Sequence, residues 1–228
     1  MSWVLDILNF VFPAECHVCG NNLAAHEKFI CAHCLQELPR TGYHRNPKNP
    51  MVERLAGQFP FVSATGHFFY SRESSLAQLI QDMKYRGFYS IGTFLGRLAA
   101  EELLITGYFN EIDFIVPVPM HFSKRFRRGY NQTDYIAKGI SEVCGSPVLN
   151  LLKMSKTRKT QTSLNRRQRL SNAENLFKVR KTHDISAKSL LLVDDVCTTG
   201  ATIASAAKTI TDKYPGIRLY LFTLGVTF

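Results

Sequence analysis

The segment Leu190-Leu-Leu-Val-Asp-Asp-Val-Cys-Thr-Thr-Gly-Ala-Thr202 decides how the chain is read. The apolar run ending at Val193 predicts a strand over Ser189–Val193 that is buried on both faces, as in a parallel sheet. That strand delivers two adjacent acids, Asp194 and Asp195, into a hydroxyl- and glycine-rich turn that opens a helix. Gly200 lets the backbone come close to a ligand. Amides at the helix N-terminus and the hydroxyls of Thr198, Thr199 and Thr202 then form a cradle for phosphate. The carboxylates would repel that phosphate, but they accept hydrogen bonds from vicinal ribose hydroxyls or hold Mg²⁺. A helix cap accounts for one such residue, not for two acids and four turn residues. Open α/β sheets bind ligands at these carboxyl ends.

Working outward from the turn, strand and helix patterns alternate. Phe61–Tyr70 reads as strand, Ser74–Lys84 and Ile91–Leu104 as helices, and Asp113–Val118 as a short strand stopped by Pro117 and Pro119. Asn131–Cys144 reads as helix, Val148–Met154 as strand and Thr157–Asn172 as a basic loop. Ala201–Lys213 then reads as helix and Arg218–Val226 as the last strand. This order predicts an α/β fold, a parallel sheet flanked by helices. The boundaries expected are an N-terminal helix plus a four-cysteine module over 1–45, a polar, proline-containing linker over 46–60, and the α/β domain over 61–228.

Charge is concentrated. The chain carries 28 Lys and Arg against 18 Asp and Glu, a formal net charge of +10. Residues 121–172 hold twelve of the bases and two of the acids, so the whole excess sits there. Such a field attracts phosphates, on a metabolite or along a nucleic acid. Interleaved Phe122, Phe126 and Tyr130 suit single strands, because cations follow phosphates while aromatics stack bases. The apolar stretch Trp3–Phe12 carries Asp6, is too short to span a bilayer, and lacks the flanks of a signal peptide. No transmembrane segment is expected, and a cytoplasmic location is.

Cys16-His-Val-Cys19 and Cys31-Ala-His-Cys34 are two C-x2-C knuckles eleven residues apart. Each knuckle aims two thiolates at one point, so together they complete a closed tetrahedral site for structural zinc. Two disulfides do not suit a reducing cytosol, and a redox role needs one pair rather than two. So short a segment buries little core, and metal ligation would supply most of its folding energy.

The run VDDVCTTGAT resembles the ribose-phosphate signature of type I phosphoribosyltransferases, which bind phosphoribosyl pyrophosphate. Further segments resemble the ComF family of competence-associated proteins within that superfamily: Met83-Lys-Tyr85, Pro117-Val-Pro-Met-His121 running on to Gln132, and Thr160-Gln161 with Leu164, Arg166, Arg169, Asn172 and Phe177. A four-cysteine zinc module is usual in the longer members. One departure is mild: Lys124 or Arg125 must serve where arginine is usual.

The resemblance implies a type I phosphoribosyltransferase-like sheet behind a zinc-ribbon-like module. Asp194 and Asp195 would hold the ribose diol with Mg²⁺, and the turn from Cys197 to Thr202 the 5′-phosphate. Lys84 and Tyr85 would lie near the pyrophosphate. The basic loop would be a closing hood, with Arg166, Arg167 and Arg169 over the pyrophosphate. Lys124, Arg125, Arg127, Arg128, Tyr130 and Asn131 would meet single-stranded DNA during natural transformation, with DNA-uptake proteins as partners, at the inner membrane through them. The alternative the same resemblance carries is an active phosphoribosyltransferase with a nitrogen acceptor.

Overall fold

The computed structural model describes residues 14–155, 176–180 and 185–227. The helix expected at 3–12 and the basic loop with Arg166, Arg167 and Arg169 lie outside them. Along the chain, α1 (Ala32–Gln36) and α2 (Pro50–Leu55) precede β1 (Ser63–Phe69), α3 (Ser75–Tyr85), α4 (Ser90–Leu104) and β2 (Phe114–Pro117). Then come α5 (Phe122–Arg128), α6 (Gln132–Cys144), β3 (Leu152–Met154), β4 (Phe177–Val179), β5 (Ser189–Cys197), α7 (Ala201–Lys213) and β6 (Arg218–Val226).

The sheet has the order β1-β6-β5-β2, and every pairing in it is parallel. Its interior strands send alternate residues into two cores. Leu191, Val193, Tyr220, Phe222 and Leu224 face one; Leu190, Leu192, Leu219 and Leu221 face the other. Both faces are covered, which is why β5 reads as an unbroken apolar run. The first core takes in α3, whose Leu76, Leu79, Ile80 and Met83 are buried at helical spacing behind the Ser74 cap. It also takes in α4 and α6, which cross at Gly96 and Gly139. A Cβ on Gly139 would fall 2.2 Å from the Thr93 carbonyl oxygen, so only glycine permits this approach. The crossing fixes where the start of α6 meets the end of β5.

Three segments differ from expectation. Residues 46–60, read as a linker, carry α2, and its Met51 and Leu55 are fully buried. Asn49 caps that helix, accepting from the Met51 and Val52 amides at 3.0 and 3.2 Å ahead of Pro50. One well-capped turn hides easily in a polar stretch. The strand expected over 148–154 shrinks to β3, which pairs antiparallel with β4 outside the main sheet. Val148 makes only an isolated parallel bridge to Ile115, and a tight turn from the Leu151 amide to the Leu149 carbonyl, 2.8 Å, breaks the run. Finally, the basic stretch after Pro119 forms α5. No helix among the described residues is long and apolar enough to cross a membrane.

Candidate functional site

Asp194 and Asp195 end the buried part of β5, each 8% exposed. An oxygen of Asp194 accepts from the Asp195 amide at 2.9 Å, and one of Asp195 from the Val196 amide at 2.6 Å. The second Asp195 oxygen meets the Lys84 ammonium at the end of α3 and the Gln132 amide at the start of α6, the latter at 2.8 Å. Burial, then the neighbouring Asp195 charge, push the Asp194 carboxyl up to about 8. Burial opposes the charge on Asp195 too, yet the Lys84 ammonium, with Gln132 and the Val196 amide, holds its carboxyl below the ordinary value. The diacid therefore pairs one carboxylate that is ionised and neutralised by lysine with one that keeps its proton near neutrality.

The turn follows directly. Gly200 takes φ +81° as N-cap of α7. A Cβ there would lie 2.9 Å from Leu55 of α2, so strain and crowding both call for glycine. Thr198, Thr199, Ala201 and Thr202 are exposed; the Ala201 amide makes a long contact of 3.4 Å to the Thr199 hydroxyl, and the Thr198 and Thr202 hydroxyls lie at the surface where a ligand can reach them. Cys197 differs from them. It is 2% exposed, and its side chain packs in the core beneath the turn because the last strand position points inward.

Arg54 of α2 was not legible as a site residue. Its guanidinium donates to the Thr198 carbonyl and, at 2.8 Å, to the Thr227 carbonyl beyond β6. It ties the turn to the end of the neighbouring strand. No sequence signal pairs residue 54 with residue 198.

The basic segment divides. No residue of α5 is buried, and Phe122 and Phe126 are 74% and 84% exposed. Lys124, Arg125 and Arg127 are exposed beside them. Arg128 lies over the Tyr85 ring at 5.3 Å and bonds Gln132, while the Tyr130 hydroxyl donates to the Met83 carbonyl. Tyr85 itself is 69% exposed. Asn131 does not share this surface. It is 4% exposed, and its amide donates to the Val118 carbonyl at 3.2 Å and to Asp134 at 2.8 Å, as expected where β2 hands over to α6. His121 caps α5, accepting from the Ser123 amide.

The four cysteine sulfurs lie within 4.8 Å of one another, with Cys19 and Cys31 3.8 Å apart. A tetrahedron of thiolates about 2.3 Å from zinc has edges of about 3.8 Å, so the donor set fits the ion. Burial opposes a thiolate at Cys16, but the amides of Cys19, Cys31 and Val18 bring its pKa down to about 6. His17 stays out of the set and meets Asp82 of α3 at 2.6 Å.

A family model for the double zinc ribbon domain matches residues 7–45. Competence protein F of Haemophilus influenzae is 27% identical over 216 residues, 89% of this chain and 92% of the relative. The DNA utilization protein YhgH of Escherichia coli K12 is 28% identical over 198 residues, 85% of this chain and 76% of that one. Competence protein ComFC of Bacillus subtilis is 30% identical over 112 residues, 48% of this chain and 43% of that one. Among solved structures, adenine phosphoribosyltransferase from Saccharomyces cerevisiae aligns over 64% of this chain and 72% of its own, at 18% identity and a TM-score of 0.37.

A parallel sheet flanked by helices, with a diacid and a glycine turn at the end of an interior strand, is the α/β arrangement that the sequence resemblance to type I phosphoribosyltransferases implied, here joined to a zinc ribbon. The chain is similar to competence protein F along most of its length and to ComFC over about half of it, and Cys16, Cys19, Cys31 and Cys34 form the structural zinc site of its ribbon.

Proposed function

We propose that the chain binds phosphoribosyl pyrophosphate, or a related ribose phosphate, together with Mg²⁺ on the Asp194–Asp195 pair and the 198–202 turn, and that it uses α5 to handle single-stranded DNA. One observation carries the first half: a buried diacid ends beside a helix N-terminus whose N-cap, Gly200, takes a left-handed conformation and brings no side chain over the turn. Amides and threonine hydroxyls hold the 5′-phosphate, and the carboxylates accept from the ribose diol. Both acids offer hard oxygen donors of the kind Mg²⁺ takes, and the ion would neutralise charge on the pyrophosphate. Lys84 pairs with Asp195, so a diol on that carboxylate would compete with the ammonium, which lies near enough to meet the pyrophosphate. Arg166, Arg167 and Arg169 enter this assignment through the family resemblance alone.

The exposed phenylalanines and cations of α5 support the second half, as do the competence and DNA utilization names of the relatives. Contact with DNA-uptake proteins is suggested by those names alone. The lysine held at the diacid also favours a second reading, transfer of the phosphoribosyl group to a nitrogen acceptor, since an ammonium there would meet leaving pyrophosphate.

Phosphorus NMR of phosphoribosyl pyrophosphate with Mg²⁺ tests both. Binding broadens the 5′-phosphate and pyrophosphate lines with wild type and leaves them sharp with Gly200→Val. Sharp lines with wild type would end the proposal. Growth of free pyrophosphate on adding a candidate base, absent with the variant, would establish the second reading.

A further inference from the structure

Parallel pairing puts Ser63 opposite Tyr220 where β1 and β6 begin, so this edge of the sheet is the one away from the diacid turn. Here the structure holds a cavity of about 370 Å³, within the range of small-molecule sites. Its wall is drawn from the 43–52 segment, the start of β1, the turn at 107–111 and Tyr220.

The lining narrows the occupant. Among the described residues it contains no Lys or Arg, so a phosphate or carboxylate would meet no full countercharge. Apart from the four cysteines, no described group of three or more His, Cys, Asp or Glu converges on a point, so a metal ion is not indicated. The rings of Tyr43, Tyr108 and Tyr220 contribute aromatic surface, Tyr108 and Tyr220 standing edge to face with centroids 6.3 Å apart.

Several polar groups on the wall have unused hydrogen-bonding capacity. The Asn110 carboxamide has no partner among the described residues. Asn46 spends its oxygen on the Lys48 amide at 2.9 Å, which leaves its two N–H donors. Tyr43 is 8% exposed, yet its hydroxyl has no described partner, and His44 Nε2 is buried without one. Glu111 gives one oxygen to the Tyr220 hydroxyl at 2.6 Å and to Arg218, and keeps the other as an acceptor. Among these groups His44 Nε2 is the buried one, and an unsatisfied buried polar atom costs about 1–3 kcal/mol, so a ligand group that reaches it is favoured; Asn46, Asn110 and Glu111 are exposed and would exchange solvent for the ligand's donors and acceptors.

We propose that this cavity binds a neutral, planar, N–H-bearing heterocycle of nucleobase size. Phenol rings flank its faces, the asparagine amides pair with its edge, and Glu111 accepts from an N–H. The site is separate from the ribose-phosphate turn and does not depend on it.

The test titrates adenine, hypoxanthine, cytosine and uracil, and their ribonucleosides, into the full chain by calorimetry, with ribose alone as a further probe. Val62→Trp fills the cavity from an exposed position, and Asn110→Leu removes an amide at another. The expected result is binding of at least one base with Kd below about 1 mM. It should weaken at least about tenfold in both variants and persist in Asp194→Asn/Asp195→Asn. No base binding below that limit, ribose binding alone, undiminished affinity in Val62→Trp or Asn110→Leu, or loss in the double aspartate variant would each overturn the proposal. Persistence in the double variant separates this site from the ribose-phosphate turn, whose failure would show in that variant's own ligand.

Discussion

At Asp194 the folded chain keeps a proton that the unfolded chain releases. Burial and the Asp195 charge raise its carboxyl to about 8 from an ordinary 3.8. Between those values the native state binds more protons than the unfolded state, so stability falls as pH rises. The contribution is fully present below about pH 4 and gone above about pH 8. Urea denaturation across about pH 5 to 8 should show wild type losing stability relative to Asp194→Asn, by at most about 1.4 kcal/mol per pH unit. Parallel pH curves for the two proteins would contradict the assigned protonation. The two acids and the glycine were legible because they are neighbours in sequence. Their partners were not. Gln132 reaches Asp195 across 63 positions and Arg54 reaches Thr198 across 144, and no local pattern encodes such pairings.

At the scale of elements, α2 and α5 do most of the positioning that the sequence concealed. α2 is a single capped turn of six residues, too short for a periodic signal, yet it buries Met51 and Leu55 and aims Arg54 at the turn that begins at Thr198. Charged donors to carbonyls contribute about 1.5–3 kcal/mol each, so Arg54→Ala should weaken ribose-phosphate binding at least about tenfold. Unchanged affinity would mean the clamp is incidental. α5 was hidden differently. Its arginines and lysine marked charge, and without a buried face it showed no apolar stripe. For the same reason Lys124→Glu/Arg127→Glu should leave the unfolding midpoint nearly unchanged. Binding to single-stranded DNA should weaken, and the salt slope should shrink by about 0.7 for each phosphate that is no longer neutralised. Equal slopes for the two proteins would remove α5 from the DNA surface.

Across the whole molecule, the four-cysteine segment is joined to the sheet. Cys16, Ile30 and Cys34 belong to the same core as Phe68, Leu79 and Leu95. His17 bonds Asp82, two residues before Lys84, and Arg40 pairs with Glu102 of α4 at 2.8 Å. Chelating zinc should therefore lower the midpoint of the entire chain, by about 2–4 °C for each kcal/mol of stability removed. Loss of the ribbon with an unchanged main transition would contradict that shared core. Knuckle spacing made the metal site readable from 19 residues of sequence, Cys16 to Cys34. That the ribbon and sheet share one core was not readable, because the apolar residues of that core are scattered between residues 16 and 224.

The most direct measurement is calorimetric titration of phosphoribosyl pyrophosphate with Mg²⁺ into wild type and Asp194→Asn/Asp195→Asn. Wild type should bind with a Kd in the micromolar range, and the variant at least about 100-fold more weakly, because the charged Asp195 acceptor for the ribose diol and both carboxyl ligands for Mg²⁺ are gone. The same affinity and heat in the two proteins would show that the diacid does not hold the ligand.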